Sequence, residues 1–344
     1  MSEDHLPDPT GDEPPLPGEQ AAEAAVAPAD PAPPPPPARR SWVRRIALFP
    51  LTRIVAGMGV CGLAGGSVFA LSTPLARLLG TTRDAATVLA ALPATAVLLL
   101  AYAFVFWLLE RRPITELSPR SMLREGAGGF LLGGVLVGLA YTVLAAAGAY
   151  RVLGTTDGRG LLGGLVLITF FATFEEVVFR GVLYRVVEGS LGTLLALAIS
   201  AALFGWVHAD NPGAGHLGAV SAGLAGMLLG LCYTLTRGLW LPIGLHIGWN
   251  YAQVVSGTPV SGNTQLTEAA WLRGELVGSE LFTGGTYGIE NSLVCIALIV
   301  VLTAAGLALG ARHRLLVAPF WSRRKLSVQV AEHGTDPPTP PIAG

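Results

Sequence analysis

The sequence predicts an all-α, polytopic membrane protein with about eight transmembrane helices and a disordered N-terminal tail. Of the 344 residues, 51% are hydrophobic and only 13% are charged, whereas a soluble domain carries about 25% charged residues. Several stretches approach the roughly 20 consecutive apolar residues that a helix needs to cross a bilayer. Backbone groups in hydrocarbon must find their hydrogen-bond partners within the segment, so these stretches are predicted to be helical.

The first 40 residues are predicted to be a disordered tail. Residues 1–38 contain eight acidic residues and no Lys or Arg, and prolines run from Pro33 to Pro37. Such a segment cannot bury enough apolar surface to fold, and it lacks the basic start and apolar core of a secretory signal. We therefore expect a tail at 1–40, a membrane-embedded domain at 41–315 and a cytoplasmic C-terminal tail at 316–344.

Eight apolar segments are the helix candidates. They lie at about 54–72, 85–109, 126–150, 161–180, 191–208, 217–235, 238–255 and 292–310. The sixth contains Gly223, Gly226 and Gly230, small residues that allow membrane helices to approach closely. The connection at 256–290 is too polar to span, and a loop of this length is often functional.

The basic residues predict the orientation. One set of arginines and lysines precedes the first segment, follows the last or joins the second to the third: Arg39, Arg40, Arg44, Arg45, Arg111, Arg112, Arg120, Arg124, Arg312, Arg314, Arg323, Arg324 and Lys325. The opposite loops hold fewer: Arg77, Arg83, Arg151, Arg159 and Arg273. By the positive-inside rule, both termini of this integral cell-membrane protein should be cytoplasmic. Basic residues at membrane edges do not indicate nucleic-acid binding.

Two adjacent carboxylates lie deep in the fourth apolar segment. A charge there costs a few kcal/mol or more, so Glu175 and Glu176 need a reason to be present. Arg180 follows Glu176 by four residues and can pair with it on the same helix face. Glu175 points elsewhere and is available for chemistry. The structural alternative is an ion-pair network with Arg180 and Arg185 that packs one helix end.

Two histidines and an asparagine lie in other apolar segments. His208 ends the sequence FGWVH, and His246 and Asn250 lie one helical turn apart in HIGWN. A lone histidine at a helix end is usually structural, which applies to His208 taken by itself. A carboxylate that activates water, imidazoles that move protons and an amide that stabilises an oxyanion are together equipment for hydrolysing an amide bond.

A metal is the alternative use of the same residues. Glu175, His208 and His246 could bind zinc and leave a position open for water. No HExxH motif is present, so the sequence leaves the cofactor open between zinc and none.

The motifs EEVVFR at 175–180, FGWVH at 204–208 and HIGWN at 246–250, in this order, resemble those of the CPBP intramembrane proteases, also called the CAAX protease and bacteriocin-processing, or Abi, family. The resemblance covers about residues 110–310. It implies an eight-helix fold of the metalloprotease type. It also implies that the protein hydrolyses a peptide bond in a membrane-associated protein or peptide. Glu175 would be the base, supported by Glu176 and Arg180.

The resemblance also implies that His208 is the second catalytic group and that His246 and Asn250 complete the site, as oxyanion donors or beside a metal. A simple helix count places Glu175 toward the cytoplasm and His208 toward the opposite side, so the mechanism requires that they nevertheless meet. The competing functions are an ion-coupled transporter, which would often show paired repeats, and a non-catalytic membrane scaffold or immunity protein.

Overall fold

The computed structural model describes residues 42–323, which form the helical protein that the composition predicts. The predicted tail at 1–40 and the greater part of the tail at 316–344 lie outside the described residues. The helices are α1 (Trp42–Ala47), α2 (Pro50–Leu79), α3 (Arg83–Glu110), α4 (Pro119–Ala146), α5 (Leu161–Glu176), α6 (Arg185–Leu191), α7 (Thr193–Val207), α8 (Gly215–Thr236), α9 (Trp240–Ser256), α10 (Glu280–Thr283) and α11 (Leu293–Arg312).

All eight predicted apolar segments are helical, and the all-α polytopic fold is confirmed. Among residues 42–323, six helices are long and apolar enough to cross a membrane by themselves: α2, α3, α4, the continuous Leu161–Leu191 helix, α8 and α11. The other two are shorter, with 15 residues in α7 and 17 in α9. These two short helices both contribute residues to the candidate site.

The fourth segment extends further than its predicted end at 180. Helix α5 passes into a π-helical stretch, Val177–Tyr184, and continues through α6 to Leu191. Glu175 is therefore in the middle of a 31-residue helix and not near its end. π-Helical turns inside helices are frequent at functional sites, because the extra residue per turn re-aims the side chains.

The structure contains a two-stranded sheet that was not predicted from the sequence. Strand β1 (Tyr150–Thr155) pairs antiparallel with β2 (Leu272–Leu276), with Tyr150 opposite Leu276 and Thr155 opposite Leu272. The partners are more than 100 residues apart, so no local turn signal links them. The polar 256–290 connection is thus an ordered structure that holds β2, α10 and three short 3₁₀ turns, Gln265–Ala269, Gly285–Tyr287 and Ile289–Asn291.

Glycines allow α9 to lie directly against α4. A Cβ on Gly133 would lie 2.2 Å from the Leu245 carbonyl oxygen, and one on Gly248 would lie 2.0 Å from the Phe130 carbonyl oxygen. These distances leave no room for a side chain at the contact. Because membrane helices gain little from hydrophobic exclusion against lipid, close backbone packing of this kind supplies much of their association.

The predicted close approach of the sixth segment is also present, between α7 and α8. Cβ atoms on Gly223, Gly226 and Gly230 would lie 3.1, 3.0 and 2.9 Å from atoms of α7. Helix α8 thereby holds the helix that ends at His208. The two glycine contacts together place α7 and α9 on either side of the α5 carboxylates.

A buried ionic network joins the helices at the end of the bundle that contains residues 111–118. Glu110 is paired with Arg53 at 2.9 Å, with Arg112 at 2.6 Å and with Arg185 at 2.8 Å. Arg112 also pairs with Glu116 at 2.7 Å. Arg185 therefore pairs with Glu110 and Glu116. It does not form the ion pair with Glu175 or Glu176 that the structural alternative requires.

Glu116 lies in the connection between α3 and α4 and is 2% exposed. Burial alone would raise the pKa of its carboxyl group. The hydrogen bonds donated by Arg112 and Tyr102 and the charge of Arg185 outweigh burial and hold the pKa below its usual value. Charged Glu116 thus links the connection before α4 to α3, through the hydrogen bond that Tyr102 donates.

Candidate active site

Glu176 and Arg180 form a fully buried ion pair. Arg180 Nη1 donates to Glu176 Oε1 at 2.8 Å, and both side chains have no exposed area. Arg180 Nη2 donates to the Gly226 carbonyl oxygen at 2.9 Å, and its guanidinium lies 4.6 Å from the centre of the Phe204 ring. The pairing predicted from the four-residue spacing is confirmed. These contacts offset the desolvation of both charges, and they connect the α5 helix to α8.

The same carboxylate oxygen of Glu176 holds His246. His246 Nδ1 lies 2.8 Å from Glu176 Oε1. A carboxylate accepts hydrogen bonds, so Nδ1 donates this bond and Nε2 is the ring nitrogen that faces Glu175. Glu176 therefore fixes the orientation of this imidazole.

His208 is held by its own helix. Its Nδ1 lies 2.8 Å from the carbonyl oxygen of Phe204, one turn earlier, and its ring stacks on the Phe204 ring with 4.4 Å between centres. A carbonyl oxygen can only accept, so Nδ1 carries the proton here also. Nε2 of His208 is then the ring nitrogen that faces Glu175.

Glu175 Oε2 lies between the two imidazoles. It is 3.9 Å from His208 Nε2 and 3.8 Å from His246 Nε2. This oxygen is buried and has no hydrogen-bond partner among the described residues. The expectation that Glu175 and His208 meet, against the simple helix count, is confirmed. Glu175 Oε2 and the Nε2 atoms of His208 and His246 thus face one another across a space without a direct hydrogen bond between them.

Asn250 lies one turn after His246 on α9 and lines the same groove. Its Oδ1 atom is buried without a hydrogen-bond partner in the described part of the chain. The groove has a volume of about 380 Å³. Its lining combines the candidate residues with the loop after α7 and part of the 256–290 connection: Glu175, His208, Asn211, Pro212, His246, Asn250 and residues 260–266.

Glu175, His208 and His246 have the donor chemistry of a zinc site but not its spacing. Two imidazole lone pairs and a carboxylate are the chemistry that zinc accepts. The measured oxygen-to-nitrogen distances of 3.8 and 3.9 Å exceed the about 3.3 Å separating ligands around a tetrahedral zinc with bonds near 2.0–2.1 Å. No group of three His, Cys, Asp or Glu side chains within residues 42–323 has a metal-binding arrangement. The three side chains are therefore too far apart to bind one zinc ion together.

Two residues, one in the groove and one bonded to the groove residue Ser261, were not predicted as site residues from the sequence. Asn211, three residues after His208, donates through Nδ2 to the Ser261 carbonyl oxygen at 2.9 Å. Glu290 accepts from Trp249 Nε1 at 2.9 Å, from the Ser261 backbone at 2.8 Å and from Ser261 Oγ at 2.6 Å. Asn211 and Glu290 hold the 256–290 connection against the groove. Only the proximity of Asn211 to the FGWVH motif could have indicated its position.

One family model matches the chain. Residues 158–252 match the family described as type II CAAX prenyl endopeptidase, Rce1-like. This segment contains all six candidate residues, and the match confirms the resemblance drawn from the three motifs. Residues 158–252 are thus similar to the CAAX prenyl endopeptidases. No curated protein matches. No solved structure matches either.

Proposed function

We propose that the protein is an intramembrane endopeptidase in which Glu175 activates the attacking water. The observation that carries this proposal is the unpartnered Glu175 Oε2, which faces the Nε2 atoms of His208 and His246. A water in this space has a carboxylate to take its proton and imidazoles to hold it in place. The family match supports the protease class, and the mechanism and substrate are our inference from the geometry.

The reaction proceeds by acid–base catalysis. Glu175 removes one proton from the water while the water oxygen forms a bond to the carbonyl carbon of the scissile amide. Asn250 Nδ2 donates to the resulting oxyanion. His208 Nε2 carries the proton from Glu175 to the leaving nitrogen as the carbon–nitrogen bond breaks, so the protons balance. His246, oriented by Glu176, positions the water.

The test compares purified wild-type protein with Glu175→Gln in detergent, using a quenched library of membrane peptides. General-base catalysis is typically worth about 10²–10⁴-fold, so Glu175→Gln should lose cleavage by that factor while its unfolding temperature stays near the wild-type value. Glu275→Gln, an exposed position on β2, is the matched control and should cleave normally. Full cleavage by Glu175→Gln contradicts the proposal.

Two further arms separate the alternatives. His246→Ala should also lose cleavage, and Asn250→Ala should lose about 10²–10³-fold as expected for an oxyanion donor. Cleavage that persists in a chelator supports water activated by Glu175 alone. Cleavage that is lost in a chelator and restored by zinc assigns His208 and His246 to a metal and overturns the metal-free mechanism. If folded wild type cleaves no peptide, the transporter and scaffold hypotheses replace the protease.

A further inference from the structure

The connections between the membrane-crossing helices lie on two opposite faces. The arginine-rich face contains residues 42–49, 111–118, 192, 237–239 and 313–323. The loop face contains residues 80–82, 147–160, 208–214 and 257–292. Contacts within each face support the division: Arg237 Nη2 donates to the Leu315 carbonyl oxygen at 2.6 Å on one, and Asn211 bonds Ser261 on the other.

The candidate site lies at mid-depth, and one of its residues, His208, begins a connection of the loop face. Residues 161–191 and α7 form a helical hairpin about Gly192, which lies on the arginine-rich face. Glu175 precedes Gly192 by 17 residues and His208 follows it by 16. At 1.5 Å per residue Glu175 lies about 25 Å along its helix from the turn and about 21 Å from Leu161, the end of the same helix at the loop face. The site is therefore deep within the helical bundle, and the residues of the groove wall decide from which face it is reached.

The groove opens through the loop face. Its wall consists of the loop after α7 and residues 260–266, both of which belong to that face. Asn263, Thr264 and Gln265 are exposed at the rim. Their uncharged polar side chains suit the amide groups of an extended polypeptide. Within the described groove lining, no residue comes from the connections of the arginine-rich face.

The arginines of residues 42–323 divide unequally between the faces. Those at the arginine-rich face are Arg44, Arg45, Arg53, Arg111, Arg112, Arg120, Arg124, Arg185, Arg237, Arg312, Arg314 and Arg323; those at the loop face are Arg77, Arg83, Arg151, Arg159 and Arg273. Arg and Lys near the ends of membrane helices remain in the cytoplasm. The bias of twelve to five therefore assigns the arginine-rich face to the cytoplasm and the loop face to the opposite side.

We infer that the active-site groove opens to the side of the membrane away from the cytoplasm. The substrate is then a membrane-anchored polypeptide whose cleavage segment lies at that surface, and not a lipidated tail presented from the cytoplasm. This inference rests on the proposed function for the act of cleavage, while the orientation of the groove stands on the helix connections and the arginine distribution alone.

The orientation is tested by cysteine labelling in intact cells that express the full chain. Cys61, Cys232 and Cys295 are buried, so wild type is the background control. Ser279→Cys places an exposed thiol on the loop face, and Thr115→Cys places one on the arginine-rich face. A membrane-impermeant maleimide should label Ser279→Cys in intact cells, and Thr115→Cys only after permeabilisation. The reverse pattern, or equal labelling of both, would overturn the inference.

A second measurement tests the groove itself and separates the two proposals. Gln265→Cys, on the groove rim, should be labelled in intact cells at a rate within a few fold of Ser279→Cys. Labelling after permeabilisation only would place the groove on the cytoplasmic side. Neither result depends on catalysis, so inactive protein with the expected labelling defeats the protease and leaves the orientation standing. Cleavage together with reversed labelling would support the protease and contradict the proposed orientation.

Discussion

Gly133 and Gly138 are on the same helix, α4, but a side chain at the two positions would meet different surroundings. A Cβ at Gly133 would lie 2.2 Å from the Leu245 carbonyl oxygen and 2.7 Å from the Trp249 nitrogen, whereas a Cβ at Gly138 meets nothing within 4 Å. The atoms that obstruct position 133 are backbone atoms of α9 and cannot rotate away. Gly133→Ala must therefore push α9 outward.

Of the two alanine substitutions, only Gly133→Ala should lower stability. Overpacking against a rigid neighbour typically costs about 1–3 kcal/mol, while alanine in an open helix position gains up to about 1 kcal/mol over glycine. At roughly 2–4 °C per kcal/mol, Gly133→Ala should lower the unfolding temperature by several degrees and Gly138→Ala should leave it unchanged or raise it.

The assay is thermal unfolding in one detergent, followed by cleavage at a temperature where both variants are folded. Because α9 carries His246 and Asn250, Gly133→Ala should also lower cleavage, and Gly138→Ala should not. Equal unfolding temperatures for the two variants would refute the claim that glycine contacts between α4 and α9 hold the site together.

Three further perturbations have defined outcomes. Glu176→Gln removes the charge that pairs with buried Arg180, so the free energy of unfolding should fall by about 3 kcal/mol; an unchanged denaturation midpoint contradicts this. Glu116 has a folded pKa below its unfolded value of about 4.5, so its stabilisation is present above that pH and is lost as pH falls through the folded pKa. The unfolding temperature of wild type should therefore fall below pH 4.5 more steeply than that of Glu116→Gln, and parallel curves would argue against it. Glu290→Gln should loosen the connection around Ser261 and speed limited proteolysis there, with Glu280→Gln, an exposed control, cutting at the wild-type rate.

Local pattern was enough to predict the helices and one ion pair. The length of the apolar runs alone predicts the helices. Arg180 pairs with Glu176 because four residues make about one helical turn. The three motifs led to the CAAX-protease family, which the match over residues 158–252 supports. These features depend on neighbours in sequence, so the sequence by itself determined them.

The tertiary structure decided how the candidate site is assembled. The hydrogen bond from His246 to Glu176 joins residues 70 positions apart, and the β1–β2 pairing joins segments separated by more than 100. No periodicity reports such contacts, because they depend on how closely glycines allow separate helices to pack. The largest difference from the predicted segments is that the fourth helix ends at residue 191 and not at 180. Glu175 therefore lies in the middle of this helix and not near its end, at the same depth as His208, and the two side chains meet there.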